Sequence, residues 1–106
     1  MKNLFLLILF FPAITYAQYT AVPDPNFENF LEANGMGDGV PGNGQVLTAN
    51  IENVIDLVLP FNGNITDITG IEDFISLENL DASFNNIATV DLSANLLLEN
   101  VVCCIQ

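Results

Sequence analysis

The sequence predicts an α/β solenoid with short parallel strands on one side, irregular connections on the convex side and a helical cap at the N-terminal end. Three observations predict it. Leu77-Glu78-Asn79-Leu80 returns 21 residues later as Leu98-Glu99-Asn100-Val101. Upstream of that repeat, aliphatic and aromatic residues recur every three positions at Ile65, Ile68, Ile71, Phe74, Leu77 and Leu80. The first third is rich in turn formers around one short amphipathic segment. A unit of about 20 residues cannot bury its apolar face alone, so such a repeat implies stacked neighbours and a covered end.

Residues 1–17 read as an address. Met1-Lys2-Asn3 is a short positive start, Leu4 to Phe11 is unbroken apolar chain, and Thr15-Tyr16-Ala17 supplies small residues for cleavage after Ala17. This is the layout of a secretory signal peptide. The apolar run is shorter than the ~20 residues of a membrane span, so no span is expected in the mature chain. Export to the cell surface or the medium follows.

Residues 18–50 form the expected cap. Each proline of Val22-Pro23-Asp24-Pro25 pushes the residue before it out of helical geometry. Asp24 then caps a helix that starts at Pro25, whose missing N–H costs nothing there. Glu28 lies in the first turn, as the helix dipole favours. Phe27, Phe30 and Leu31 make one apolar stripe, and Asn34-Gly35 supplies the stop. The spacing predicts a helix over 25–33. The loop Gly37-Asp38-Gly39-Val40-Pro41-Gly42-Asn43-Gly44 follows. Asp38 and Asn43 invite a calcium reading, but the spaced ligands and closing Glu of an EF-hand are missing. They read instead as turn residues bonding their own backbone.

From 51 to 106 the sequence predicts two to three repeats, incomplete at the C-terminus. Leu77, Leu80, Ala82, Asn85 and Ile87 follow L-x-x-L-x-L-x-x-N-x-L, the leucine-rich-repeat spacing, with Ala82 in place of an aliphatic. Alternation along a strand sends Leu80 and Ala82 inward and Asn79, Asp81 and Ser83 to solvent. Asn85 falls where the chain turns away, and its amide can both donate and accept there. Stacked turns would align such asparagines, Asn95 among them, into a ladder. A looser echo of the repeat is Ile51-Glu52-Asn53-Val54. A helix competes for 65–80, but a spacing of three held over six positions drifts off one helical face.

The chain resembles the secreted leucine-rich-repeat proteins of Bacteroidetes, whose repeats are similar to those of internalins. Ala21 to Glu28 and Gln45 to Ile51 resemble their N-terminal cap. Ile65 to Phe74 resembles their first repeat. Leu80-Asp81-Ala82-Ser83-Phe84-Asn85-Asn86-Ile87 and Val90-Asp91-Leu92-Ser93-Ala94-Asn95 resemble their L-D-C-S-x-N-x-L and L-D-L-S-x-N stretches. The resemblance implies a large exported adhesion or binding protein, many of which end in a type IX secretion sorting domain. Ala82 departs from the family's Cys and Val102 from its Asp. The chain accordingly reads as an N-terminal fragment of a longer array.

Charge and composition exclude several functions. The chain has 13 carboxylates, one basic residue (Lys2) and no His. A nucleic-acid binder needs Lys and Arg to displace counterions, and an anionic membrane surface needs the same. Without His the chain lacks the commonest general base and zinc ligand. No serine has an activating partner and no pair of carboxylates stands out. No catalytic residue, resident metal or cofactor is therefore expected. The expected function is an extracellular leucine-rich-repeat adhesion module that recognises a protein or glycan, with Asn79, Asp81, Ser83 and Asn100 as the contact positions. The alternative is a structural surface segment stabilised by divalent cations, with weak Ca2+ association. Cys103 is expected inward as a small core residue and Cys104 outward. An unfinished end would leave Leu98, Val101 and Cys103 facing water and the segment from about residue 90 marginal.

Overall fold

The computed structural model describes residues 17–103. The signal peptide expected over 1–17 falls outside them except for Ala17, and Cys104 also lies outside. Among the described residues the regular structure is one helix, two small sheets and two 3₁₀ turns.

The cap is built from β1 (Tyr19–Ala21), α1 (Pro25–Ala33) and β2 (Gln45–Leu47). Strands β1 and β2 pair antiparallel, Thr20 opposite Val46. Helix α1 has the predicted bounds for the predicted reasons. One carboxylate oxygen of Asp24 accepts the N–H groups of Asn26 (2.8 Å) and Phe27 (3.2 Å). At the other end Gly35 takes φ +75°, and the Met36 and Gly35 N–H groups reach back to the carbonyls of Leu31 (2.8 Å) and Glu32 (3.3 Å). That double bond is a Schellman stop, and it satisfies carbonyls the helix leaves open.

The loop after α1 is held by the helix's own carboxylates. Glu28 is buried, 2% exposed, and accepts the N–H groups of Gly42 (3.0 Å), Asn43 (3.2 Å) and Gly44 (3.0 Å). One turn on, Glu32 accepts those of Asp38 (3.0 Å) and Gly39 (3.1 Å). Asp38 and Asn43 bond each other (2.6 Å) and cap the N–H groups of Val40 and Gln45, the turn role expected of them. The Asn43 amide, then the Val40 N–H, hold the Asp38 carboxyl below its ordinary range. Hydrogen bonds to a charged acceptor are worth more than neutral ones. Replacing Glu28 with Ala is expected to cost about 2–3 kcal/mol. The amides of 42–44 should then exchange with solvent faster than the rest of the cap.

The second sheet is parallel and carries the repeat. Strands β3 (Asp56–Val58), β4 (Asn79–Ala82) and β5 (Asn100–Cys103) lie side by side in that order. Asp56 pairs with Asn79 and Asn79 with Asn100, separations of 23 and 21 residues. The register corrects the looser echo. The segment equivalent to Ile55-Asp56-Leu57 is Glu78-Asn79-Leu80, because the Ile55 carbonyl accepts the Glu78 and Asn79 N–H groups just as the Glu78 carbonyl accepts those of Glu99 and Asn100. Ile51 to Val54 instead forms turns leading into β3. What the sheet builds is a short stack, not an extended solenoid.

Between β3 and β4 the chain makes one wide coil. Ile65, Ile68, Ile71, Phe74, Leu77 and Leu80 are all at most 2% exposed, yet only Ile71–Asp73 is helical, as a single 3₁₀ turn. The spacing of three thus follows the inner wall of a coil. These residues share one core with Val22, Phe27, Leu31, Val46 and Ile51 of the cap, and the rings of Phe27 and Phe74 stack at 6.4 Å.

Polar ties reinforce this joint. The other carboxylate oxygen of Asp24 accepts the N–H (2.8 Å) and Oγ1–H (3.1 Å) of Thr66 and the N–H of Asp67 (3.0 Å). Asn26 donates to the Asn64 carbonyl at 3.0 Å. Thr20 donates its hydroxyl to Asp73 (2.7 Å) and lies 2.7 Å from the Thr48 hydroxyl, which donates to it. Gly70, at φ +111°, presses against β1 so closely that a Cβ would lie 2.9 Å from the Ala21 carbonyl oxygen and from Val22 Cγ2. Gly70→Ala is expected to lower the unfolding free energy by more than about 1 kcal/mol, measured by denaturant titration.

The last coil differs from expectation. Of Leu98, Val101 and Cys103, only Val101 is exposed; Leu98 and Cys103 pack against the core. They do so because β5 pairs in register on β4, stacking Cys103 on Ala82. Cys103 is also disulfide-bonded, so the inward core thiol expected there is oxidised.

Candidate ligand-binding face

The outward residues of the parallel sheet form two rows that run across the strands. The first row is Asp56, Asn79 and Asn100, and the second is Val58, Asp81 and Val102. Between them Leu57 and Leu80 point into the core. The rows follow from strand alternation and parallel in-register pairing, which bring the same position of each coil to the same height.

The first row is a directional ladder. Asn100 donates its amide to Asn79 Oδ1 (2.6 Å), and Asn79 donates to Asp56 Oδ1 (2.5 Å). Two of the predicted contact residues, Asn79 and Asn100, are therefore brought together and joined to an acid that sequence reasoning missed. The signal for Asp56 was present: Asp56-Leu57-Val58-Leu59 alternates as Asn79-Leu80-Asp81-Ala82 does. Matching the repeat at Ile51 hid it by setting the wrong register.

Asp81 and Ser83 have a different role from the one expected. Ser83 is not at the surface; it is 4% exposed. Strand β4 ends at Ala82, and Ser83 folds back so that its N–H (3.1 Å) and Oγ–H (2.7 Å) both bond Asp81 Oδ1. The Ser83 hydroxyl, then its N–H, hold the Asp81 carboxyl below its ordinary range. The same device recurs at Asp91–Ser93 (2.9 and 2.6 Å), where Ser93 lowers the Asp91 carboxyl in the same way, and at Asp67–Thr69 (2.8 and 2.6 Å). Asp-x-Ser/Thr is thus a turn-closing unit, and of the pair only Asp81 remains on the face.

The structural asparagines are both buried. Asn85 Oδ1 accepts the Ile65 N–H (3.1 Å), and its amide donates to the carbonyls of Pro60 (3.0 Å) and Ser83 (3.2 Å). Asn95 donates to the carbonyls of Ile71 (2.8 Å) and Phe74 (3.1 Å), while its own Oδ1 accepts no hydrogen bond. The expected asparagine-on-asparagine ladder does not form from this pair. They sit at two different corners, and each bonds the main chain of the preceding coil, because that is where unpaired carbonyls lie.

Four apolar side chains lie near the face, of which the sequence singled out only Val102, as a departure from Asp. Val58 and Val102 flank Asp81, and Phe61 and Phe84 lie beyond the C-terminal ends of β3 and β4, their rings edge to face at 5.2 Å. All four are more than two-fifths exposed. Among the described residues no group of three or more His, Cys, Asp or Glu is arranged to hold a metal, and no helix is long and apolar enough to cross a membrane.

No protein-family model matches the chain, and neither does any curated protein. Among solved structures the chain is similar to the functional domain of InlJ from Listeria monocytogenes, which includes a cysteine ladder. The identity is 25%, the TM-score 0.57, and the match covers 89% of this chain. The chain spans about a fifth of that structure's length, 22%. The described strands here hold a single cysteine, Cys103, stacked on Ala82. With the stacked parallel strands, the likeness to this internalin-like leucine-rich-repeat protein makes the chain's fold one of the repeat type.

Proposed function

We propose that the chain is a recognition module of an exported leucine-rich-repeat protein, non-catalytic, whose parallel-sheet face contacts a protein or glycan. The observation that carries this reading is the outward row Asp56–Asn79–Asn100. Three coils place amide and carboxylate groups at one height and lock their rotamers by mutual hydrogen bonds. Side chains held this way lose little entropy on binding. The hydroxyls of Ser83 and Ser93 are tied to carboxylates with no imidazole in the chain, which supports recognition over nucleophilic chemistry.

The cap carboxylates that a divalent cation would use are committed: Asp24, Glu28 and Glu32 each hold main-chain N–H groups with both oxygens. This supports the recognition reading over the cation-stabilised one. Export rests on the residue 1–17 leader.

Retention of the purified chain on a glycan array and on a panel of extracellular-matrix proteins tests the reading. Asn79→Arg and Asn100→Arg should each weaken the retained interaction by about tenfold, the effect of roughly 1.4 kcal/mol. Asn29→Arg, on the exposed side of α1, should leave it unchanged. Equal loss from all three variants would sink the proposal.

A further inference from the structure

One corner of the repeat is built from the wrong residue for its backbone. Asn62 and Phe84 lie against each other just past β3 and β4, the Asn62 N–H donating to the Phe84 carbonyl at 2.9 Å. Both are left-handed, with φ of 59° and 60°. Asn tolerates that region because its short polar side chain bonds locally, whereas a bulky Phe is a genuine outlier there. Burial does not compensate, because Phe84 is 48% exposed and its ring partner Phe61 is 60% exposed. An unfavourable backbone state that holds an exposed aromatic in place points from strain to function.

The surroundings select the chemistry of the partner. The face beside the rings carries Asp56 and Asp81, with Val58 beside Asp81 in its row, and no Lys or Arg follows Lys2. A cation meets no repulsion here and finds ring faces as well as carboxylates. The edge-to-face rings, 67° apart, offer no flat platform for a sugar, and Phe brings no polar handle to orient one.

We infer that the Phe61–Phe84 pair anchors a basic polypeptide, with Lys or Arg side chains against the rings and Asp81 and apolar side chains against Val58. This deepens the recognition reading and rests on it, choosing a protein over a glycan as the partner.

The probe is a short peptide of alternating Arg and Leu, followed by amide chemical shifts of the labelled chain; its citrulline counterpart is the control. The expected perturbations lie at 58–62 and 81–85. Phe84→Asn, which supplies a residue that tolerates the left-handed backbone, should keep or raise the melting temperature and weaken peptide binding by about tenfold. Phe61→Ser should weaken it comparably, and citrulline should bind at least about tenfold more weakly than arginine. Perturbations spread over the 37–44 loop and the rest of the acidic surface would overturn the inference, as would unchanged affinity in Phe84→Asn. If an array glycan is lost by Asn79→Arg and kept by Phe84→Asn, the aromatic anchor is wrong while the recognition reading stands. If neither variant changes any retained ligand, both fail.

Discussion

Asp24→Ala is expected to cost about 3–5 kcal/mol of unfolding free energy, a large share of the 5–15 kcal/mol typical of a domain. The carboxylate is 6% exposed and accepts five hydrogen bonds, two from the first turn of α1 and three from Thr66 and Asp67. Truncation therefore uncaps the helix and unties it from the first coil at once. Asp24→Asn should not rescue the variant. Its oxygen could keep the cap, but its amide would then face two main-chain donors. Burial alone would raise the Asp24 carboxyl, yet the N–H groups of Thr66, Phe27, Asp67 and Asn26 outweigh it and hold the group below its ordinary 3.8. A carboxyl lowered on folding stabilises the native state above its unfolded value, and that stabilisation is lost as pH falls through the folded one. Stability should thus decline below about pH 4, more steeply in the native chain than in Asp24→Ala. Denaturant midpoints across that range check both statements.

Phe74→Ala should be equally damaging, at about 3–5 kcal/mol. The ring is fully buried and stacks on Phe27, so its loss opens a cavity at the seam between cap and coil. The Phe27→Ala partner permits a double-mutant cycle. A coupling of about 0.5–1.5 kcal/mol is expected if the rings interact beyond the apolar area they bury. Additive losses would show instead that the two rings stabilise separate units.

Local chemistry was legible and long-range bonding was not. The bounds of α1 could be read from Asp24-Pro25 and Asn34-Gly35, because caps act within a few residues of the helix they end. The inward set from Ile65 to Leu80 could be read from its spacing, since each member obeys the same geometry. Glu28 looked like a dipole-favoured first-turn acid. Its larger use, holding three amides of the 42–44 loop, lies 14 to 16 residues away and leaves no periodic trace. Asp24 looked like a cap; its three bonds to residues 66 and 67 are likewise invisible in one dimension.

The candidate face divides in the same way. Asn79 and Asn100 were legible because a 21-residue repeat alone puts them at equivalent positions. Asp56 was not, because its coil is 23 residues long and a sequence echo gives no register until strands pair. Ser83 was misplaced because alternation was carried one residue past the strand's end, where a hydroxyl does better bonding Asp81 than water. The Phe61–Phe84 contact joins two coils at a corner whose left-handed backbone no composition reveals.

By itself, then, the sequence determined the repeat, the capped helix, the inward residues and the acidic, His-free surface, all properties of residue order and local sterics. Only the tertiary structure decided which strand rows align, which carboxylates are spent on main-chain amides and which aromatics stay exposed. Those depend on stacking one coil on the next, where a shift of two residues in coil length moves every partner.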